Sequence, residues 1–411
     1  MLFFIPTLES GGAERVCLHY VNKLRHYRPV LALQQVRGPL LREVAADVRL
    51  VGIFDAEAVG HKPPRSSWFR GRFEQVMQMV KGSPSVALSR AKAPCYVYST
   101  LWQARRLSLL ARRNSCPAAV SFITLPNVIT IIAKVFFQRR LKVVINVHDV
   151  TSRILQESGL ESYERILLKW LVRRLYPKAD LIVAVAEGIK RDLVDYFGIP
   201  AEKIAVINNP IDIRWIRVQA AEPVTHPWLS SKEGPLVVAV GRLVKLKGYD
   251  LLIQAFARLP HRLNARLIVV GEGAERPRLE QLIEQQGLKD RAELLGFQEN
   301  PWKYMARADM LVLSSLTEGL PNAIGEAMAL GLPVLATDCS PGVREYLQDG
   351  EDGLLVPPGN IAALADGMER LITDRELRAR LAQRAGRRIE AFDLQRIVQV
   401  YEEALARVIS V

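Results

Sequence analysis

Two glutamates eight residues apart, Glu318 and Glu326, bracket the string Gly319-Leu320-Pro321-Asn322. Each carboxylate can accept two hydroxyl hydrogen bonds, the kind that a sugar or a ribose offers. The apolar pattern predicts a buried parallel strand at 310–313, a loop over 315–321 and a helix over 322–330 with Asn322 as its N-cap. Gly331 ends that helix and Pro333 forbids its continuation. The amides of Gly319, Leu320 and Asn322 then point at an anion at a helix start. They do so beyond strand ends, where open parallel sheets bind ligands. About seventy residues earlier, Arg242 and Lys247 fall in a loop between a strand and a helix, just after Gly241. Two cations opposite a helix N-terminus form a natural cradle for a diphosphate. Lys245 between them reads as a solvated turn residue. Gly271-Glu272-Gly273 follows the next strand and lacks the third glycine of the dinucleotide fingerprint. It reads as a nucleotide-side loop near Phe297, where a base could stack or bond to the backbone.

The first half holds a second set of candidates. Thr7-Leu8-Glu9-Ser10-Gly11-Gly12-Ala13-Glu14-Arg15 follows a leading strand and opens a helix. Paired glycines let the backbone approach a ligand closely, and amides at a helix start favour phosphate. A plain structural turn at Gly11 and Gly12 is the competing reading. The run Val143 to Val147 delivers His148 and Asp149 to a strand's carboxyl end. A lone histidine in such a place is more often a satisfied structural residue.

Positioning these groups takes strands and helices in alternation, and the chain has them. Apolar runs alternate with helical patterns throughout, the mark of parallel α/β architecture. Strands are expected at 2–5, 30–34, 118–122, 142–147, 181–185 and 204–207, then at 236–240, 266–270, 292–295, 310–313 and 333–336. Helices are expected at 14–24, 102–112 and 163–176, with a terminal one at 393–408. At 411 residues the chain exceeds one ordinary core, so two domains are expected, 1–208 and 209–392. Asn208-Asn209-Pro210 and the polar stretch bearing Pro223 and Pro227 read as the linker.

Segment 56–95, with several Pro and Gly and many basic residues, breaks the rhythm and reads as an insertion or lid. Trp68 and Phe69 among Arg65, Arg70 and Arg72 could dip into a lipid interface, and a solvated loop is the equal alternative. No run of about 18 uncharged apolar residues occurs, so no spanning helix is expected. The N-terminus reads as a core strand and not as a signal peptide. Cys17, Cys95, Cys116 and Cys339 lack paired spacing, which fits reduced thiols in a cytosol and argues against structural zinc.

Taken together, the Glu318 to Glu326 element and the Gly-Arg-Leu and Lys-Gly element around Arg242 and Lys247 resemble the family-four retaining glycosyltransferases of the GT-B fold. The resemblance covers nearly the whole chain apart from 56–95. It implies two Rossmann-like parallel-sheet domains facing an interdomain cleft, with a C-terminal helix (393–411) crossing back onto the N-terminal domain. It assigns acceptor binding to the first domain and nucleotide-sugar binding to the second. It further implies that Arg242 and Lys247 bind the donor diphosphate, that Glu326 holds the ribose hydroxyls and that Glu318 faces the transferred hexose. His148 would hydrogen-bond the transferred sugar with Asp149 in support. Gly11 and Gly12 match the family's glycine loop, which contacts donor phosphates and the acceptor end. The Glu-Gly-Leu-Pro-Asn string resembles members that use a UDP-linked hexose or N-acetylhexosamine. The family offers no obvious enzyme nucleophile, which favours same-face attack through an ion pair. No Asp-x-Asp string occurs, so neither a divalent metal nor any cofactor is expected.

Charge points to the acceptor. Residues 1–208 carry 31 Lys/Arg against 16 Asp/Glu, whereas the remainder carries 25 against 27. One basic half suggests a polyanionic partner, and charge alone leaves both nucleic acid and an anionic membrane surface open. Nucleic-acid module motifs and interleaved aromatics are missing, which argues against the first. Arg105, Arg106, Arg112 and Arg113 on one helix, Lys134, Arg139, Arg140 and Lys142 nearby, and Lys169, Arg173 and Arg174 suit anionic headgroups. The expectation is a cytoplasmic enzyme, peripheral on the inner face of the membrane, that extends a lipid-linked saccharide in O-antigen, capsule or lipopolysaccharide synthesis. A sugar-nucleotide epimerase or phosphorylase of the same fold is the rival enzyme, and a non-catalytic basic nucleic-acid-binding protein is the remote one. An oxidoreductase fails on the absent third glycine.

Overall fold

Short runs that are apolar at every position suit strands covered on both faces, as in a parallel sheet. Leu2–Ile5 is such a run, and all four of its residues are buried. The computed structural model describes residues 1–9, 11–54, 93–157, 162–230 and 234–410. The chain divides into two compact units, one of Met1–Asn208 with Val398–Val411 and one of Asn209–Ile397.

The first unit is built on β1 (Leu2–Ile5), β2 (Val30–Leu33), β3 (Arg49–Gly52), β4 (Ala118–Phe122), β5 (Lys142–Val147), β6 (Leu181–Ala184) and β7 (Ile204–Val206). These form one sheet in the order β3-β2-β1-β4-β5-β6-β7, with every neighbouring pair parallel. Order reverses between β1 and β4, so the loops leaving those two strands diverge there. The second unit holds β8 (Leu236–Val240), β9 (Arg266–Val270), β10 (Ala292–Gly296), β11 (Met310–Leu313), β12 (Val334–Thr337) and β13 (Leu354–Val356). Its sheet runs β10-β9-β8-β11-β12-β13, again parallel, with the reversal between β8 and β11. Helices Tyr249–Ala257 and Ile361–Thr373 contribute Phe256, Leu364 and Met368 to a core with Val237, Val269 and Leu335. The terminal helix Leu394–Ile409 starts in this unit, and its residues from Val398 onward count with the first.

Several expectations need correction. β3 and β13 add to the expected strands. Arg49 and Leu50 are exposed at a sheet edge, and β13 spans only three residues, so neither shows a buried apolar run. The polar stretch after Asn208 is no free linker. Asn209 is buried, Ile211 bridges to Asp393, and Ile213–Ala220 is a helix whose N-cap Asp212 accepts from the Trp215 amide. A long helix, Ala93–Arg113, takes up the last residues of segment 56–95. The remainder of that segment, with Arg65, Trp68, Phe69, Arg70 and Arg72, lies outside the described residues, as does Ser10.

The expected basic helix face is also broken. Arg106 is buried, donates to the Ile53 carbonyl at 2.6 Å and lies over the Trp102 ring. Lys134 is bound to Asp180, Lys169 sits over Tyr196 and Arg112 donates to the Phe137 carbonyl. These cations stabilise the unit itself. Arg113, Arg139, Arg140 and Arg174 remain exposed. Cys17, Cys116 and Cys339 are buried free thiols.

Candidate functional site

The candidates divide between the units. Gly11, Gly12, His148 and Asp149 belong to the first, and all the others to the second. In the second unit, the backbone leaving β8 passes Gly241 and Arg242, makes the single turn Lys245–Lys247 and enters the Tyr249–Ala257 helix. Gly248 caps that helix at φ 59°, and a side chain there would strike the Ser314 carbonyl at the end of β11. Glycine thus lets two loops close on each other at the point of strand reversal. Ser314 strengthens the contact by donating its hydroxyl to the Lys247 carbonyl at 2.9 Å.

Lys247 is therefore held from both strands, and its side chain meets Glu318. The Nζ–Oε1 distance is 2.6 Å, and Ser315 donates its hydroxyl to the same oxygen at 2.6 Å. Thr337, at the end of β12, donates to the Ser315 carbonyl at 2.5 Å. Burial and then the Glu318 charge push the Cys339 thiol up to about 11, while Lys247 pulls it down. The same two causes raise the Tyr249 hydroxyl. The ends of β8, β11 and β12 thus converge on one carboxylate and one ammonium. Arg242 stands exposed on the same loop.

Asn322 departs from its expected role. It is the first residue of the Asn322–Ala329 helix, and Pro321 occupies the cap with no side-chain bond. The Asn322 side chain instead accepts from Asn209 Nδ2 at 2.7 Å. With no capping side chain, the first-turn amides keep no intrahelical acceptor apart from the Ile324 to Pro321 bond. Gly331, at φ 69°, ends the helix. The Leu332 amide reaches back to Ala327 and the Gly331 amide to Met328. Glu326 lies in the second turn, where its charge adds to burial in raising the buried Tyr346 hydroxyl. Gly319 and Leu320 are covered by the Pro341–Tyr346 helix, whose Gly342 touches the Gly319 carbonyl so closely that no side chain fits.

Gly271 and Gly273 have an internal cause. A side chain on either would collide with the Gly241 or the Leu243 carbonyl. Phe297 is 44% exposed and follows Gly296 at the end of β10.

In the first unit, Gly11 is the N-cap and Gly12 the first residue of the Gly12–Lys23 helix. The Glu14 carboxylate folds back over Gly11, so this helix start already carries an anion of its own. His148 follows β5 and is buried against Phe122, with Nε2 lacking a partner. Burial alone pushes its imidazole down from 6.5 to about 4, so the ring is neutral near pH 7. Asp149 is exposed and is not a cause of that shift. A depressed folded value means that the unfolded chain takes the proton first. Stability is therefore lost as pH falls from about 6.5 toward 4. Urea midpoints across that range should drop in the wild type and drop less steeply in His148→Asn; identical slopes would contradict a buried neutral ring.

Sequence reading missed Ser315, Thr337 and Gly342; Thr337 meets Ser315 because β11 and β12 are neighbours, and Gly342 meets Gly319 because a helix lies over that loop. Ser315 stands three residues before Glu318, the one hint available. It also missed Ile123, a β-branched residue at φ 73° where β4 gives way to the Thr124–Ile132 helix. Among the described residues no three His, Cys, Asp or Glu side chains gather as a metal site. Nor is any helix there long and apolar enough to cross a membrane.

Comparison with known proteins follows the two units. Residues 10–215 match the family described as Glycosyltransferase Family 4, and residues 225–388 match Glycosyl transferases group 1. A relative from Campylobacter jejuni subsp. jejuni is 31% identical over 396 residues, covering 96% of each chain. It is named N-acetylgalactosamine-N,N'-diacetylbacillosaminyl-diphospho-undecaprenol 4-alpha-N-acetylgalactosaminyltransferase. The structure of Anabaena HepE in complex with UDP-glucose superposes with a TM-score of 0.75 at 23% identity, covering 99% of both chains. WaaG, a glycosyltransferase involved in lipopolysaccharide biosynthesis, gives 0.70 at 18% identity, also over 99% of both. The GT-B fold expected from the motifs is the fold found.

Proposed function

Since the chain belongs to glycosyltransferase family 4, we propose that it is a retaining, metal-independent enzyme moving a hexose or N-acetylhexosamine from a UDP-sugar to a lipid-diphosphate-linked saccharide. The observation that carries this reading is the Lys247–Glu318 contact at the reversal point of the second sheet. An ammonium, an exposed guanidinium and uncapped helix amides suit a diphosphate, and the adjacent carboxylates suit sugar hydroxyls. As the anomeric carbon–oxygen bond breaks, its electron pair passes to the diphosphate. In this reading Arg242, Lys247 and the first-turn amides stabilise that charge without reorganising. The acceptor hydroxyl attacks from the same face and gives its proton to a phosphate oxygen of the leaving group. The family resemblance gives His148 the role of a polar contact for the donor sugar, and its buried, unpartnered Nε2 on a neutral ring is compatible with that role.

The acceptor class rests on the relative's name, which carries a diphospho-undecaprenol saccharide, and on the charge of the first half. The exposed Arg113, Arg139, Arg140 and Arg174 are suited to meet an anionic membrane surface, from its cytoplasmic side. The test is direct. A nucleoside diphosphate panel should give a selective rise in melting temperature with UDP, because saturating a native site stabilises by about 2.7 kcal/mol at 100 times Kd. With UDP-N-acetylhexosamine and a polyprenyl-diphosphate saccharide, the product should keep the donor's anomeric configuration, read by proton NMR. Hydrolysis or epimerisation of the donor without transfer would refute the reading.

A further inference from the structure

From Val398 onward the terminal helix belongs to the first unit, where Glu402 accepts from the Arg25 amide and Tyr401 enters the core. Tyr401 is fully buried, and its ring lies flat on Tyr20 with centroids 3.9 Å apart and planes 16° from parallel. Tyr20 belongs to the helix that opens with Gly11 and Gly12. Its ring continues to Phe122 at 6.4 Å, and Phe122 continues to the His148 imidazole at 5.7 Å. Four rings thus run without interruption from the last helix to the histidine.

A second path runs beside the first. The Tyr401 hydroxyl donates to Asn146 Oδ1 at 3.1 Å and accepts from Asn146 Nδ2 at 3.0 Å, a pairing across 255 residues of sequence. Asn146 Nδ2 also donates to the Ser121 carbonyl at 3.1 Å. Asn127 donates to the Asn146 carbonyl at 2.9 Å and accepts from the Ser121 hydroxyl at 2.8 Å. These groups are buried. Asn146 is paired with Phe122 across β5 and β4, and Phe122 is the ring packed against His148. The network therefore fixes the Asn146–Val147 peptide, one residue short of the histidine, and the Ser121 carbonyl that leads into the Phe122 ring it rests on. Nothing in packing alone demands three polar side chains here. An apolar trio would fill the space but leave the buried Tyr401 hydroxyl without its partner.

We infer that Tyr401 is a positioning residue for His148, acting through the Asn146 side chain and the Tyr20–Phe122 ring column. Its catalytic consequence rests on the transferase reading; the mechanical coupling does not. Tyr401→Phe keeps the ring on Tyr20 and removes only the hydroxyl, so it isolates the Asn146 path and spares the packing. Two measurements on the full chain test it. With only six histidines in the sequence, ring resonances of labelled protein can be assigned, and those of His148 should move in ligand-free Tyr401→Phe while the others stay. The kcat for transfer should fall about tenfold with donor KM within about twofold, as expected for a misplaced contact group. A lower melting temperature with His148 resonances and kcat at wild-type values would reduce Tyr401 to a packing residue and overturn the inference. Shifted His148 resonances in Tyr401→Phe, with no sugar transfer by the wild type, would uphold the coupling and sink the proposed function instead.

Discussion

Lys247→Met should slow sugar transfer by about 10²–10³-fold, the usual effect of removing one fixed group that faces developing charge. Methionine keeps most of the stem, which packs near Gly241, so the loss reports the ammonium and not a hole. The expected size follows from how the residue is held. Its backbone is tied to Ser314 through the hydroxyl bond and through the close pass of Gly248, so its stem starts from a fixed point. Its side chain is only 22% exposed, where water screens charge less than at the surface. A cation that needs no reorganisation stabilises a departing diphosphate more than a mobile one does. Arg242 shares the task from an exposed position and should matter less. Steady-state transfer with labelled donor measures both variants. If Lys247→Met turned over at the wild-type rate, and Arg242→Ala added nothing to it, no diphosphate could sit where the two strands diverge.

Much of this frame is legible in the amino-acid sequence. β1, β4, β5 and β11 stand at their expected limits because each is buried on both faces and so apolar at nearly every position. The helix end at Gly331 is equally plain, since a glycine before Leu332-Pro333 leaves little choice of conformation. What escapes are contacts between strands. Ser315 and Thr337 bond because β11 and β12 are neighbours, and Gly342 lies on Gly319 because a helix folds back over a loop. Neither fact has a sequence period. Charge misleads for a related reason. Arg106 and Lys134 count toward a basic surface in the composition, yet a carbonyl and an aspartate claim them. Asn322 misleads because its type favours capping, while tertiary structure gives its oxygen to Asn209. Tyr401 has no legible role in the sequence at all, with its partner 255 residues away.

Glu318→Gln should separate binding from turnover, and in opposite directions. The carboxylate now occupies Lys247 at 2.6 Å and takes the Ser315 hydroxyl through the same oxygen. An arriving diphosphate must share that ammonium and also approach a negative group. Glutamine can still accept from Ser315, so the loop should hold its shape, but the charge opposing the diphosphate is gone. UDP affinity should therefore rise by about tenfold, equivalent to 1.4 kcal/mol. The pair is 22% and 11% exposed, so the gain should shrink only partly as salt is raised. Transfer should nevertheless fall by about 10²-fold, the usual scale for losing a polar group that contacts the reacting sugar. Titration calorimetry with UDP and initial rates with the UDP-sugar measure the two arms on one preparation. Weaker UDP binding in Glu318→Gln would mean that the carboxylate supports the nucleotide and does not compete with it. The contact with Lys247 would then be a strut of the fold, and the sugar-facing role would have to pass to another side chain.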